Sequence, residues 1–146
     1  MRESDVFSHG HEPKVIDIEG WRVGLSICYD MRFSELYTYY RKHDVQLILV
    51  PSAFLVPTGQ AHWHVLLRAR AIESQCFVVA AAQAGEHKSA SGSTRHTYGH
   101  SLIIGPWGDI LAESNKAGPD ELIFELNPES IIKVRAQIPM ASHRRL

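Results

Sequence analysis

The chain has 146 residues, 45% of them hydrophobic, enough to build a substantial core for one domain or part of one. Its formal net charge of −1 offers no basic face to nucleic acid or to an anionic membrane, and no apolar run reaches membrane-spanning length. Only two cysteines are present, Cys28 and Cys76, and the N-terminus has no apolar signal core. Reduced thiols in a cytoplasmic or mitochondrial compartment are therefore expected.

Residues 1–13 are polar and aperiodic and read as an extended lead-in. Val15-Ile16-Asp17-Ile18, the turn signal Glu19-Gly20 and the alternating Val23, Leu25 and Ile27 predict two consecutive strands. The pattern stops at Cys28. Asp30 is then a candidate N-cap, followed by Phe33, Leu36, Tyr37 and Tyr40 at the spacing of one helix face, ending near Lys42-His43-Asp44. A cysteine held where a strand turns into a helix lies near free backbone N–H groups, whose dipoles favour the thiolate and could hold an oxyanion. Taken alone, a cysteine after an apolar run more often packs in a core.

Val45 to Val50 is an almost continuous apolar run, as expected of a strand covered on both faces, and completes a βαβ unit. Ser52 to Gly59 leaves its C-terminal end as a loop, where α/β folds place ligands. From Gln60 the spacing of Trp63, Leu66, Leu67, Arg70, Ala71 and Ser74 predicts a helix, with Arg70 and Glu73 set for an i,i+3 ion pair. Phe77 to Ala82 is the next buried strand, with Cys76 packing at its entrance. Gln83 to Thr97, rich in Gly, Ser and His, reads as a mobile loop. Tyr98 to Gly105 and Ile110 to Ala112 predict a hairpin around Pro106-Trp107-Gly108-Asp109. Glu121 to Leu126 predicts a last strand, and Asn127 with Pro128 opens a short helix.

Nine histidines raise the question of a metal. His9-x-His11 and His62-x-His64 share a face only on a strand; the first pair lies in the lead-in and the second in a helical pattern. No Cys-x-x-Cys or His-Glu-x-x-His accompanies them, so no metal site and no cofactor are expected.

The string Gly24-x-x-x-Cys28-Tyr29-Asp30-x-Arg32-Phe33-x-Glu35 resembles the nucleophile motif of the nitrilase, or carbon–nitrogen hydrolase, superfamily, and within it the Nit branch. The resemblance continues through Gly59-Gln60-Ala61-His62-Trp63, Arg68 to Glu73, Gly99-His100-Ser101, Pro106-Trp107-Gly108 and His143-Arg144-Arg145. At His64 some relatives carry an acid. The resemblance implies an α/β fold, the C-terminal part of a four-layer α-β-β-α sandwich, with residues 1–146 forming a partial hydrolase domain. It implies an amidase of small linear amides in which Cys28 forms a thioester and the Tyr29 N–H serves the oxyanion. Glu3 stands where relatives carry an assisting glutamate. The loop from Phe54 to Thr58 would line the pocket, and Arg32 would either orient a substrate carboxylate or pair with Asp30 or Glu35. Tyr98 and His100 would approach the pocket or pack in the core.

The family also uses a glutamate base and a lysine, both upstream of the cysteine. Glu12 and Lys14 match neither, so the chain alone is expected to be inactive. Pairing with a second copy or another chain is expected. Two other readings stand beside the amidase: a non-catalytic binding or assembly module, and a papain-like thiol hydrolase using Cys28 with His100.

Overall fold

A computed structural model describes residues 5–89, 92–114 and 118–145. Strands β1 (Lys14–Ile18) and β2 (Trp21–Leu25) form an antiparallel pair. The turn between them places Glu19 and Gly20 at φ 47° and 85°, the left-handed conformations of a tight two-residue hairpin. A 3-10 turn, Cys28–Arg32, precedes helix α1 (Ser34–Lys42), which returns the chain to β3 (Leu47–Leu49). A short α2 (Val56–Thr58) and a π turn (Gly59–Trp63) lead into α3 (His64–Ser74) and then β4 (Phe77–Ala80).

The remaining elements are β5 (Ala84–Lys88), β6 (Thr94–Tyr98), β7 (Leu102–Ile104), β8 (Ile110–Glu113), α4 (Pro128–Gln137) and α5 (Met140–His143). Six strands form one sheet in the order β1-β2-β3-β4-β7-β8, in which β2, β3 and β4 run parallel. β5 and β6 form a separate antiparallel pair. No helix among the described residues is long and apolar enough to cross a membrane.

Side-chain alternation explains the layering. Gly24, Ile48, Val78 and Ile104 are in register across the sheet, so they share one face. Against that face α1 and α3 bury Tyr37, Tyr40, Leu67 and Ala71, with Met31 and Trp63 beside them. A Cβ on Gly24 would lie 2.9 Å from the Tyr40 ring, so the glycine lets the tyrosine lie flat on the sheet and donate its hydroxyl to the Leu25 carbonyl. The opposite face carries Trp21, edge-on to Phe77, together with Ile16, Ile18 and Leu25, which are 40%, 45% and 37% exposed.

Four expectations from the sequence are corrected. Asp30 does not cap α1: its carboxylate accepts the Ile27 N–H at 2.9 Å, three residues back, and α1 starts four residues later with no side-chain cap. Phe33 lies outside that helix and packs edge-on against Tyr29. The segment 83–97 is a hairpin rather than a loop, because backbone pairing from Ala84↔Tyr98 to Lys88↔Thr94 compensates for few apolar anchors. Glu121 to Leu126 pairs with no described strand, and Ile123 is 85% exposed; the apolar residues are present, but the backbone groups lack a ladder partner. The Asn127 cap is as expected, its side chain accepting the Glu129 N–H at 2.9 Å.

Candidate active site

The parallel strands end together, and the chain leaving each one bounds a single open cleft of about 1290 Å³. Cys28 follows β2, Ser52 follows β3 and Ala82 follows β4, while His87 and Arg95 reach in from the β5–β6 hairpin and His100 from the approach to β7. This is where open α/β sheets bind ligands.

Cys28 adopts φ 44°, a left-handed conformation that costs a non-glycine residue about 1–3 kcal/mol. Several bonds hold it there. Its N–H donates to the Pro51 carbonyl at 2.9 Å, and the Ser26 N–H donates to the Leu49 carbonyl at 3.0 Å, extending the β2–β3 ladder. Asp30 clamps Ile27 from the other side, its own N–H donating to the Ile27 carbonyl at 2.9 Å. Beneath the turn, the buried Arg70 donates from Nε to the Met31 carbonyl at 2.7 Å and from Nη1 to Glu73 at 2.8 Å. Burial pushes the Glu73 carboxyl above its ordinary pKa, although Arg70 opposes the shift.

The Cys28 thiol is partly exposed and forms no hydrogen bond with the described residues. Cys76 differs in every respect. It is fully buried, its thiol donates to the Val45 carbonyl at 3.0 Å, and burial pushes its pKa up, so it stays protonated and packed.

Of the other residues singled out from sequence, Glu3 lies outside the described residues. Tyr29 is the second residue of the 3-10 turn, with an exposed ring. Arg32, Phe54 and Thr58 are not among the residues that line the cleft. The Arg32 guanidinium sits 5.3 Å from the centroids of both Tyr29 and Phe54 and 3.3 Å from His62 Nδ1. Among the described residues it pairs with neither Asp30 nor Glu35. Phe54 is buried against Trp63, and Thr58 donates its hydroxyl to the Leu55 carbonyl at 3.1 Å. Tyr98 stacks on His100 at 4.2 Å.

A polar cluster stands beside the cleft that no local spacing announces. Glu113 Oε1 lies 2.7 Å from His100 Nδ1 and 3.0 Å from His64 Nε2, joining residues 13 and 49 positions apart. Burial raises the Glu113 pKa, but the two imidazole hydrogen bonds and their charges outweigh it and hold the carboxyl below its ordinary range. His87 and Arg95 were also missed, because they stand on a hairpin that read as a loop.

An α/β sheet whose parallel strands end on one open cleft is the architecture of proteins that take small ligands there. Within that class the chain belongs to the carbon–nitrogen hydrolase family, whose profile matches residues 1–136. It is 46% identical over 146 residues to deaminated glutathione amidase of Dictyostelium discoideum, covering 100% of this chain and 49% of that protein. The solved NitFhit protein of C. elegans superposes with a TM-score of 0.91 at 44% identity, over 99% of this chain and 34% of that one. Saccharomyces cerevisiae Nit3, a member of branch 10 of the nitrilase superfamily, gives 0.86 at 37% identity, over 99% and 51%. The chain spans about half the length of the curated relatives it matches. The resemblance to the carbon–nitrogen hydrolase superfamily and the expected α/β fold are both borne out.

Proposed function

We propose that this chain carries the nucleophile of an amidase acting on a small linear amide, and that the nucleophile is Cys28. One observation carries the reading: Cys28 opens onto the cleft from a strained strand-to-helix turn, with its thiol unbonded by the described residues, while Cys76 is sealed in the core.

In the proposed course the Cys28 thiolate adds to the amide carbon and negative charge moves to the carbonyl oxygen. The Tyr29 N–H, in the first turn of a helix where backbone donors lack acceptors, is assigned to that oxygen. Collapse of the adduct expels ammonia, which carries away the proton the thiol gave up, and leaves a thioester. Water then hydrolyses the thioester to a carboxylate and restores the thiol. The assisting role of Glu3 is kept as part of this proposal.

Arg95 is a better candidate than Arg32 for a substrate carboxylate, because it lines the cleft and its side chain forms no ion pair or hydrogen bond among the described residues. Phe54 and Thr58 brace the α2 region and are assigned no substrate contact.

The papain-like alternative is disfavoured, since Cys28 and His100 share the cleft but no bond joins them. A binding or assembly role has one observation behind it, the exposed Ile16, Ile18 and Leu25 on a single sheet face.

The proposed amidase still needs a base for the thiol and an acid for the departing amine, and none of the described residues bonds to Cys28 Sγ. Such help is worth on the order of a hundred- to ten-thousand-fold, so the isolated chain is proposed to be inactive. The test is ammonia release from deaminated glutathione, by the chain alone and after it is joined to the Glu- and Lys-bearing part of a relative. Turnover only in the joined form, lost in Cys28→Ser, supports the reading; turnover that survives Cys28→Ser removes it.

A further inference from the structure

We propose that His64, His100 and Glu113 form a binding site for a first-row divalent cation, Zn²⁺ foremost. The site stands apart from the amidase reading and does not depend on it. His64 Nε2, His100 Nδ1 and a Glu113 oxygen all lie within 4.8 Å of one another, and all three residues are partly buried. Two imidazoles and one carboxylate are the donor set of three-ligand zinc sites that keep a position open.

Spacing and rigidity favour the assignment. Ligands at zinc bond lengths of about 2.0–2.2 Å in a tetrahedron stand about 3.3–3.6 Å apart. The contacts of 2.7 and 3.0 Å at Glu113 would therefore need to open by less than about 1 Å. Each ligand comes from a different fixed element. His64 opens α3, and Glu113 ends β8 in register with Leu102. The His100 carbonyl accepts the Trp63 indole N–H at 2.7 Å, and its ring stacks on Tyr98. Because His100 also lines the cleft, the fourth position of a bound ion would open toward it.

In the hydrogen-bonded cluster both facing ring nitrogens carry protons toward the carboxylate. To ligate, each neutral imidazole moves its proton to its other nitrogen, so binding to neutral rings releases no net proton. A cluster that serves only as a hydrogen-bond network would show no affinity for the ion.

The test is calorimetric titration of the full 146-residue chain with ZnCl₂, paired with visible spectra of the protein loaded with Co²⁺. One equivalent of zinc and a tetrahedral cobalt band are expected. Glu113→Gln and His64→Gln, each checked for an unchanged circular dichroism spectrum, should weaken binding by more than about tenfold. Should one variant misfold, the other still decides. His9→Ala/His11→Ala, which removes the other close histidine pair, should leave binding unchanged. Absence of stoichiometric binding, equal binding in both cluster variants, or loss of binding only in the His9/His11 variant overturns the proposal.

Discussion

Arg70 Nε donates to the Met31 carbonyl at 2.7 Å, fastening helix α3 to the 3-10 turn that begins at Cys28. Arg70 is only 7% exposed, and its guanidinium bonds Glu73 one turn on and lies 5.4 Å from the Tyr37 ring centroid. Three elements of the fold thus meet at one side chain. Arg70→Met should cost about 2–3 kcal/mol, since it removes charge-assisted bonds and strands a carboxylate and a carbonyl. Urea denaturation measures it, and a loss under about 0.5 kcal/mol would mean that the pair contributes little.

Gly24→Ala should destabilise the chain by about 1–3 kcal/mol, because the new methyl meets the Tyr40 ring at 2.9 Å between a sheet and a packed helix. The same urea measurement applies. A neutral result would show that the ring can slide off β2 at no cost.

Hydrogen exchange should reverse two readings made from sequence. Ladder amides in Ala84–Lys88 and Thr94–Tyr98 should exchange more slowly than those of Glu121 to Leu126, which lack a ladder. Faster exchange in the hairpin would return it to a loop.

These reversals mark how much was legible. Val45 to Val50, the α3 spacing and the Asn127-Pro128 cap are local patterns, and each produced its element. Glu121 to Leu126 has a strand's apolar side chains but no neighbour, and the hairpin has a neighbour but few apolar side chains. Pairing is a property of the whole fold, so neither showed in a window of residues. The place of Cys28 where a strand gives way to a turn was legible because that turn is built from adjacent residues. The His64–His100–Glu113 cluster was not, because α3, the β7 approach and β8 assemble it from distant positions.

The Glu113 carboxyl is held below its ordinary range in the folded chain, so its protonation opposes folding. Its contribution should be fully present above the unfolded carboxylate value of 4.5 and fade as the pH falls through the lower folded value. Stability of the parent relative to Glu113→Gln, followed by urea midpoints across that range, should therefore narrow on acidification. A gap that widens there would contradict the sign.

Reaction with iodoacetamide, itself a small primary amide, tests the central claim most directly: that Cys28 is the reactive thiol of the cleft. The native chain would be treated briefly, quenched and mapped by peptide mass spectrometry. Label is expected on Cys28, while Cys76 should stay unmodified until urea unfolds the chain. Label on Cys76 at the same rate, or a native Cys28 that resists alkylation, would contradict it.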